Sequence, residues 1–297
     1  MFANAHCRLR RAAGLIAVLL LAAACGRDEA ADEEQAGNPA ATDAATSTRP
    51  VAEDSLGPAP TRPVDSERLP YAEIDDQLVY GHFAFPSDMI EPLPAVIVVH
   101  DLWGLTDEVR ALSDRLAAEG YMVLAVDLFN GATFDADTRS RANRKAVELL
   151  ENPDLAAANI SQALEFVGIA GAPGKASLGW GLGGAWSLNA TMMFPDELDA
   201  AIIYYGQVIS DEEELAKIST PVLGLFGARD REVTVDSVTE FEAAMRRLRK
   251  DYVVQVYPGV GARFADSTWA TFDAEAARDA WQRTVDFLAA KLAADAS

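Results

Sequence analysis

Residues 95–100 read Ala-Val-Ile-Val-Val-His, apolar at five consecutive positions. A strand with one wet face alternates apolar and polar residues. An unbroken apolar run of this length predicts a strand covered on both faces. Tyr121–Asp127, Ala176–Trp180, Ala200–Tyr205, Val222–Gly227 and Tyr252–Tyr257 read as further strands, and Leu78–Phe85 as another that closes at Pro86. Helical spacing fills the intervals: Thr106–Glu119 stopping at Gly120, then Asp137–Leu150 and Leu155–Val167 split by Asn152-Pro153. Three more helices follow, from about Gly183 to Met193, over Asp236–Lys250, and a closing amphipathic one over Asp273–Leu292. Buried strands alternating with helices through short turns predict an α/β three-layer sandwich with a mostly parallel sheet. The roughly 220 residues from Tyr71 to Leu292 suffice for one such core.

The pattern disappears upstream. Gly26–Pro70 holds no aromatic residue and sets ten acids against four arginines. Such a segment buries too little apolar surface to offset its ordering entropy, so residues 25–70 are expected to form a disordered acidic linker ahead of a folded domain at 71–297. The first 24 residues read as a signal peptide. Arg8, Arg10 and Arg11 precede an apolar stretch, Ala12–Ala24, too short for a permanent span. The stretch ends in Leu21-Ala22-Ala23-Ala24-Cys25-Gly26 and resembles a bacterial lipobox, with the leucine four residues before the cysteine instead of three. That resemblance implies cleavage before Cys25 and its acylation. The product would be a membrane-anchored lipoprotein of the cell envelope, facing the periplasm or the exterior. An ordinary secretory signal is the alternative. On either reading Cys7 is removed, and the one remaining cysteine has no internal disulfide partner.

Composition narrows the functions. The 25 Lys and Arg against 46 Asp and Glu give a formal charge of −21, and loss of the three leader arginines makes it −24. That balance excludes nucleic-acid binding and a polybasic grip on lipid. Two cysteines and three histidines are too few for a disulfide scaffold or a Cys/His zinc site, and nothing implies a cofactor.

Open parallel sheets bind ligands beyond the carboxyl ends of their strands. Four such ends carry distinctive wording: Val99-His100-Asp101-Leu102-Trp103-Gly104-Leu105, Gly179-Trp180-Gly181-Leu182-Gly183-Gly184, Gly227-Ala228-Arg229-Asp230-Arg231-Glu232-Val233 and Tyr257-Pro258-Gly259-Val260-Gly261-Ala262-Arg263-Phe264. In this order and spacing they resemble the dienelactone hydrolase family of the α/β-hydrolase fold, over Tyr71 to Leu292. The resemblance implies hydrolysis of esters and lactones by a Cys or Ser nucleophile, an Asp and a His. The nucleophile belongs on the sharp strand–helix turn. Carried over residue by residue, the acid matches Asp230. The nucleophile position is Gly181, with no side chain, and the base position is Ala262, with no proton acceptor. Asp101 takes the place of a modulating acid and is shorter than the usual Glu. Leu102 and Leu182 would supply oxyanion amides, since backbone groups survive any substitution short of proline.

The loss does not depend on alignment. With the leader removed, only His82 and His100 remain, both before the turn, whereas this fold takes its base after the acid. The expectation is therefore a dienelactone hydrolase-like protein that has lost hydrolysis and binds a small molecule or an envelope protein. The alternative is an active ester or lactone hydrolase using non-standard residues. His100, Asp101 and Asp230 could bind a metal or activate water, but two carboxylates and one imidazole do not argue a metal. Gly179, Gly181 and Gly184 also spell a dinucleotide fingerprint, but the next strand ends in Tyr204-Tyr205-Gly206, without the acid that a ribose requires. Trp103, Trp180, Phe129, Tyr205 and His100 are candidate pocket residues. Arg229, Arg231 and Arg263 lie near the same mouth and could hold a carboxylate, but the favoured expectation is solvated loop charges countering the acidic surface.

Overall fold

The computed structural model describes residues 56–58 and 60–293. The signal peptide, Cys25 and the linker up to residue 55 lie outside the described residues.

Eight strands form one sheet. They are β1 (Val64–Ile74), β2 (Gln77–Pro86), β3 (Ala95–Val99), β4 (Met122–Val126), β5 (Lys175–Trp180), β6 (Ala200–Tyr204), β7 (Val222–Gly227) and β8 (Tyr252–Tyr257). Their spatial order is β1-β2-β4-β3-β5-β6-β7-β8. The pairs β1–β2 and β2–β4 are antiparallel, and every other neighbouring pair is parallel. The helices are α1 (Asp107–Ala118), α2 (Arg139–Glu151), α3 (Pro153–Ile169), α4 (Leu182–Met193), a single turn α5 (Glu212–Leu215), α6 (Val235–Arg247) and α7 (Ala274–Leu292). The expected mostly parallel α/β sandwich is what the chain forms.

The apolar runs explain the layering. All five residues of β3, β4 and β6 are buried. Alternate residues of each strand feed two separate cores. Val96, Val98 and Ile202 meet Leu116 of α1 and Trp281 and Leu288 of α7 on one face. Ile97, Val99 and Leu124 meet Ile160 and Leu164 of α3 and Trp186 of α4 on the other. No helix among the described residues is long and apolar enough to cross a membrane.

One boundary needs correction. The segment expected to be disordered up to residue 70 enters the sheet at Val64, because β1 pairs with β2 along ten positions. Asp65, Ser66, Glu67 and Arg68 are exposed on both faces of this edge strand, so composition alone reads it as linker. Asp75 and Asp76, both at positive φ, form the two-residue turn that closes the hairpin and sets its register. Further upstream, the Arg115 guanidinium donates to the carbonyls of Leu56, Gly57 and Pro58 and ties the incoming chain to α1. Pro86, expected to end a strand, is the last residue of β2 and pairs with Val64.

Candidate active site

The parallel register brings the strand ends together: Val99 lies beside Gly179, Trp180 beside Tyr204, and Gly227 beside Tyr257. The turn at Gly181 joins β5 to α4. Gly181 has φ 51° and ψ −112°, a left-handed conformation that glycine adopts without steric penalty. Its neighbours explain the other glycines. A Cβ on Gly183 would overlap the carbonyl of Val99, and one on Gly179 would overlap the backbone of Gly183. The glycine series therefore lets helix and sheet approach closely.

A carboxylate fills the space above Gly181, the position expected for a nucleophile. A Cβ built on Gly181 would overlap Oδ1 of Asp101 and lie 2.7 Å from its Cγ. Oδ1 of Asp101 accepts the amides of Leu102 (2.6 Å) and Leu182 (3.1 Å). These are the two amides that sequence reasoning assigned to an oxyanion, and both are engaged by the protein's own side chain. Leu182 is the first residue of α4, so its amide lies where the helix dipole favours an anion. Oδ2 of Asp101 pairs with Nη1 of Arg263, and both side chains are only 12% exposed.

Arg263 departs from expectation. It is not a solvated loop charge but the counter-ion of the buried Asp101. It follows the empty base position Ala262 directly, at φ 58°. Its guanidinium carbon lies 5.3 Å from the ring centre of Trp103 and 4.9 Å from that of Trp269, and the two indoles stack 5.8 Å apart. Arg229 and Arg231 are exposed, as expected.

Asp230 is buried after β7. Its Oδ1 accepts the amides of Glu232 (2.8 Å) and Val233 (3.0 Å). Burial raises its pKa above the usual carboxylate value; the two amides and Arg263 pull the other way and lose. Asp266 behaves alike: burial raises it against the amide and hydroxyl of Thr268 and the charge of Arg263.

Two expected pocket residues are misplaced. His100 is fully buried beneath the cleft. Its Nε2 accepts the Leu128 amide at 3.0 Å, so the proton resides on Nδ1, which donates to the Asp101 carbonyl at 2.7 Å. Burial lowers its pKa, outweighing Asp127 at 3.8 Å, and the ring is neutral. It acts as a staple between the ends of β3 and β4. Phe129 packs on His100 at 4.7 Å and belongs to the core as well. Trp103, Trp180, Tyr205 and Asp101 do line a cleft, of about 440 Å³, together with Leu56, Phe134, Asp266 and Trp269. Sequence reasoning missed Asp266 and Trp269, which lie beyond the last motif. His82 is remote, with Nε2 2.7 Å from Asp114 of α1. Among the described residues no three His, Cys, Asp or Glu side chains are grouped to hold a metal ion.

Comparison with known proteins places these features in context. The model of the dienelactone hydrolase family matches residues 79–292. A protein from Saccharolobus solfataricus, provisionally named a carboxymethylenebutenolidase, is 28% identical over 243 residues, covering 69% of this chain and 92% of that protein. A crystal structure from Klebsiella pneumoniae, provisionally named a dienelactone hydrolase, superposes with a TM-score of 0.69 at 24% identity, covering 78% of this chain and 99% of the other. A dienelactone hydrolase-like promiscuous phosphotriesterase from metagenomic libraries superposes with a TM-score of 0.68 at 21% identity, covering 77% and 98%. At these identities the two structures speak to fold.

Proposed function

The chain belongs to the dienelactone hydrolase family, a hydrolytic family, and from that premise we propose that this member has lost covalent acyl transfer and uses its cleft to bind a small molecule. One observation carries the proposal. The carboxylate of Asp101 occupies the volume above Gly181 and accepts both candidate oxyanion amides. A substrate carbonyl would find no attacking atom on Gly181 and both candidate oxyanion amides already filled. Oxyanion stabilisation and a nucleophile–base pair are the two largest contributions to this chemistry, and here one is blocked and the other deleted. The carboxylate that fills the site is itself neutralised by Arg263. The arrangement is self-satisfied and does not await a substrate oxygen.

The cleft above it remains open, and its volume falls within the range of small-molecule sites. We further propose that the protein is held at a bacterial cell envelope through acylated Cys25, supported by the charged, apolar and small-residue order of positions 8–25. The Cys25→Ser variant should move from the membrane fraction to the soluble fraction.

The activity test uses phenyl acetate and dihydrocoumarin with the full chain, alongside fluorophosphonate and iodoacetamide labelling. The expected result is no turnover above a heat-treated control and no label on any cleft residue. Turnover that Asp230→Ala abolishes would overturn the proposal.

A further inference from the structure

The lining of the cleft is unbalanced in charge. Among the described residues Asp101, Glu108, Asp135 and Asp266 contribute to it, and no basic side chain does. Arg263 satisfies Asp101 alone by direct contact. Thr138 donates its amide and hydroxyl to Asp135 and holds it below the usual carboxylate range, so it stays ionised. Thr268 does the same for one oxygen of Asp266, but burial still disfavours that charge. The charge of Arg263 acts on Asp266 without offsetting its burial, and a cationic ligand beside that carboxylate would relieve the remaining cost.

The walls are aromatic. Trp103, Trp180, Tyr205, Phe134 and Trp269 all face the cavity. Aromatic faces attract cations through the ring quadrupole, most strongly where water is excluded. The protein already uses this attraction here, since the guanidiniums of Arg263 and Arg139 lie 4.9 Å and 5.8 Å from the ring centre of Trp269. Neither arginine lines the cleft. The formal charge of −21 over the whole chain adds a long-range attraction of the same sign.

We propose that the ligand of this cleft is an organic cation, an alkylammonium or a related amine, with its charge beside Asp266 and its carbon body against the indoles. This rests on reading the cleft as a binding site and names the class of molecule it takes. Among the described residues the carboxylates do not converge on a metal-sized point, which favours an organic cation over a metal ion.

The test compares choline with its uncharged carbon isostere, 3,3-dimethylbutan-1-ol, and with acetate, by calorimetry on the full wild-type chain. Choline is expected to bind at least tenfold more tightly than the alcohol, with a preference that shrinks as salt rises. Asp266→Asn keeps the acceptor for Thr268 and should weaken choline at least fivefold while leaving the alcohol unchanged. Should that variant not fold, the exposed Asp135→Asn gives the same readout, and the wild-type ratio needs no variant. Equal affinities, no measurable choline binding, tighter acetate, or unchanged choline affinity in both variants would each overturn the inference. Phenyl acetate turnover measured on the same preparation separates the two readings. Turnover defeats the binding-protein reading and leaves the cation preference to the affinity ratio. No turnover together with no cation preference defeats this inference alone.

Discussion

The two sides of the cleft floor have fared differently. On the side of β3 and β5, the positive-φ turn at Gly181, the close helix approach and both candidate oxyanion amides are intact, but Asp101 occupies the amides. On the side of β7 and β8, the acid Asp230 is in place, but Ala262 stands where a proton acceptor would be, and Arg263 turns inward beside it. What is present is the backbone of the turn together with the Asp230 side chain, and what is absent is a side chain at Gly181 and a proton acceptor at Ala262. Backbone geometry comes with the fold and persists as long as the sheet does. A catalytic side chain can be lost through one substitution that costs the fold little.

The largest expected effect comes from reversing that loss. Gly181→Cys with Ala262→His restores a nucleophile and a base, but the cysteine would meet Asp101, and the oxyanion amides would stay filled. Adding Asp101→Ala should raise phenyl acetate turnover on the order of 10²-fold over the double variant, the scale of a freed oxyanion donor. A double variant as active as the triple would show that the Asp101 plug does not matter.

Breaking the ion pair should show as stability. Arg263→Met leaves the Asp101 carboxylate buried with only its two amides, at a cost of about 2–4 kcal/mol, below the full value for a deep pair because both groups keep some exposure. Urea melts measure this. Pairing the change with Asp101→Asn should recover part of the loss, and no recovery would mean that the two side chains act independently.

His100 gives a smaller, pH-dependent effect. Its folded pKa lies below the usual 6.5, so the unfolded chain binds the extra proton. Stability is therefore full above pH 6.5 and falls as pH drops below it, by at most about 1.4 kcal/mol per pH unit. In His100→Gln that slope between pH 6.5 and 5 should flatten.

Asp230 contrasts with Asp101 most gently. Its folded pKa is raised from the usual 3.8, so its contribution to stability is present below that value and lost as pH rises through the folded pKa. Asp230→Asn keeps an oxygen for Glu232 and Val233 and removes the buried charge. It should stabilise the chain at pH 7 by up to about 1 kcal/mol, with the gain vanishing below pH 3.8. A loss at pH 7 would mean that attraction to Arg263 outweighs burial.

Much of this was legible beforehand. The apolar runs of β3 to β7 marked buried parallel strands, and four strand-end phrases located the cleft, because both depend on local residue order. β1 was hidden because an edge strand with polar residues on its outer face has the composition of a linker; its partner β2 decides its state. His100 was misplaced for a related reason. Its position at a strand end was correct, but the Leu128 amide and the Asp101 carbonyl turn the ring into the core. Arg263 was read as a surface charge because its counter-ion lies 162 residues away in the chain.

The sequence by itself determined the architecture and the absence of any histidine after position 100. A buried-strand rhythm allows few layer arrangements, and a histidine absent after position 100 is absent in every conformation. Only the tertiary structure decided what took the vacated place. The removal of one side chain leaves a volume, two amides and a need for charge balance. Which distant group fills them is set by three-dimensional proximity: here Asp101 swings into the empty turn and Arg263 closes over it.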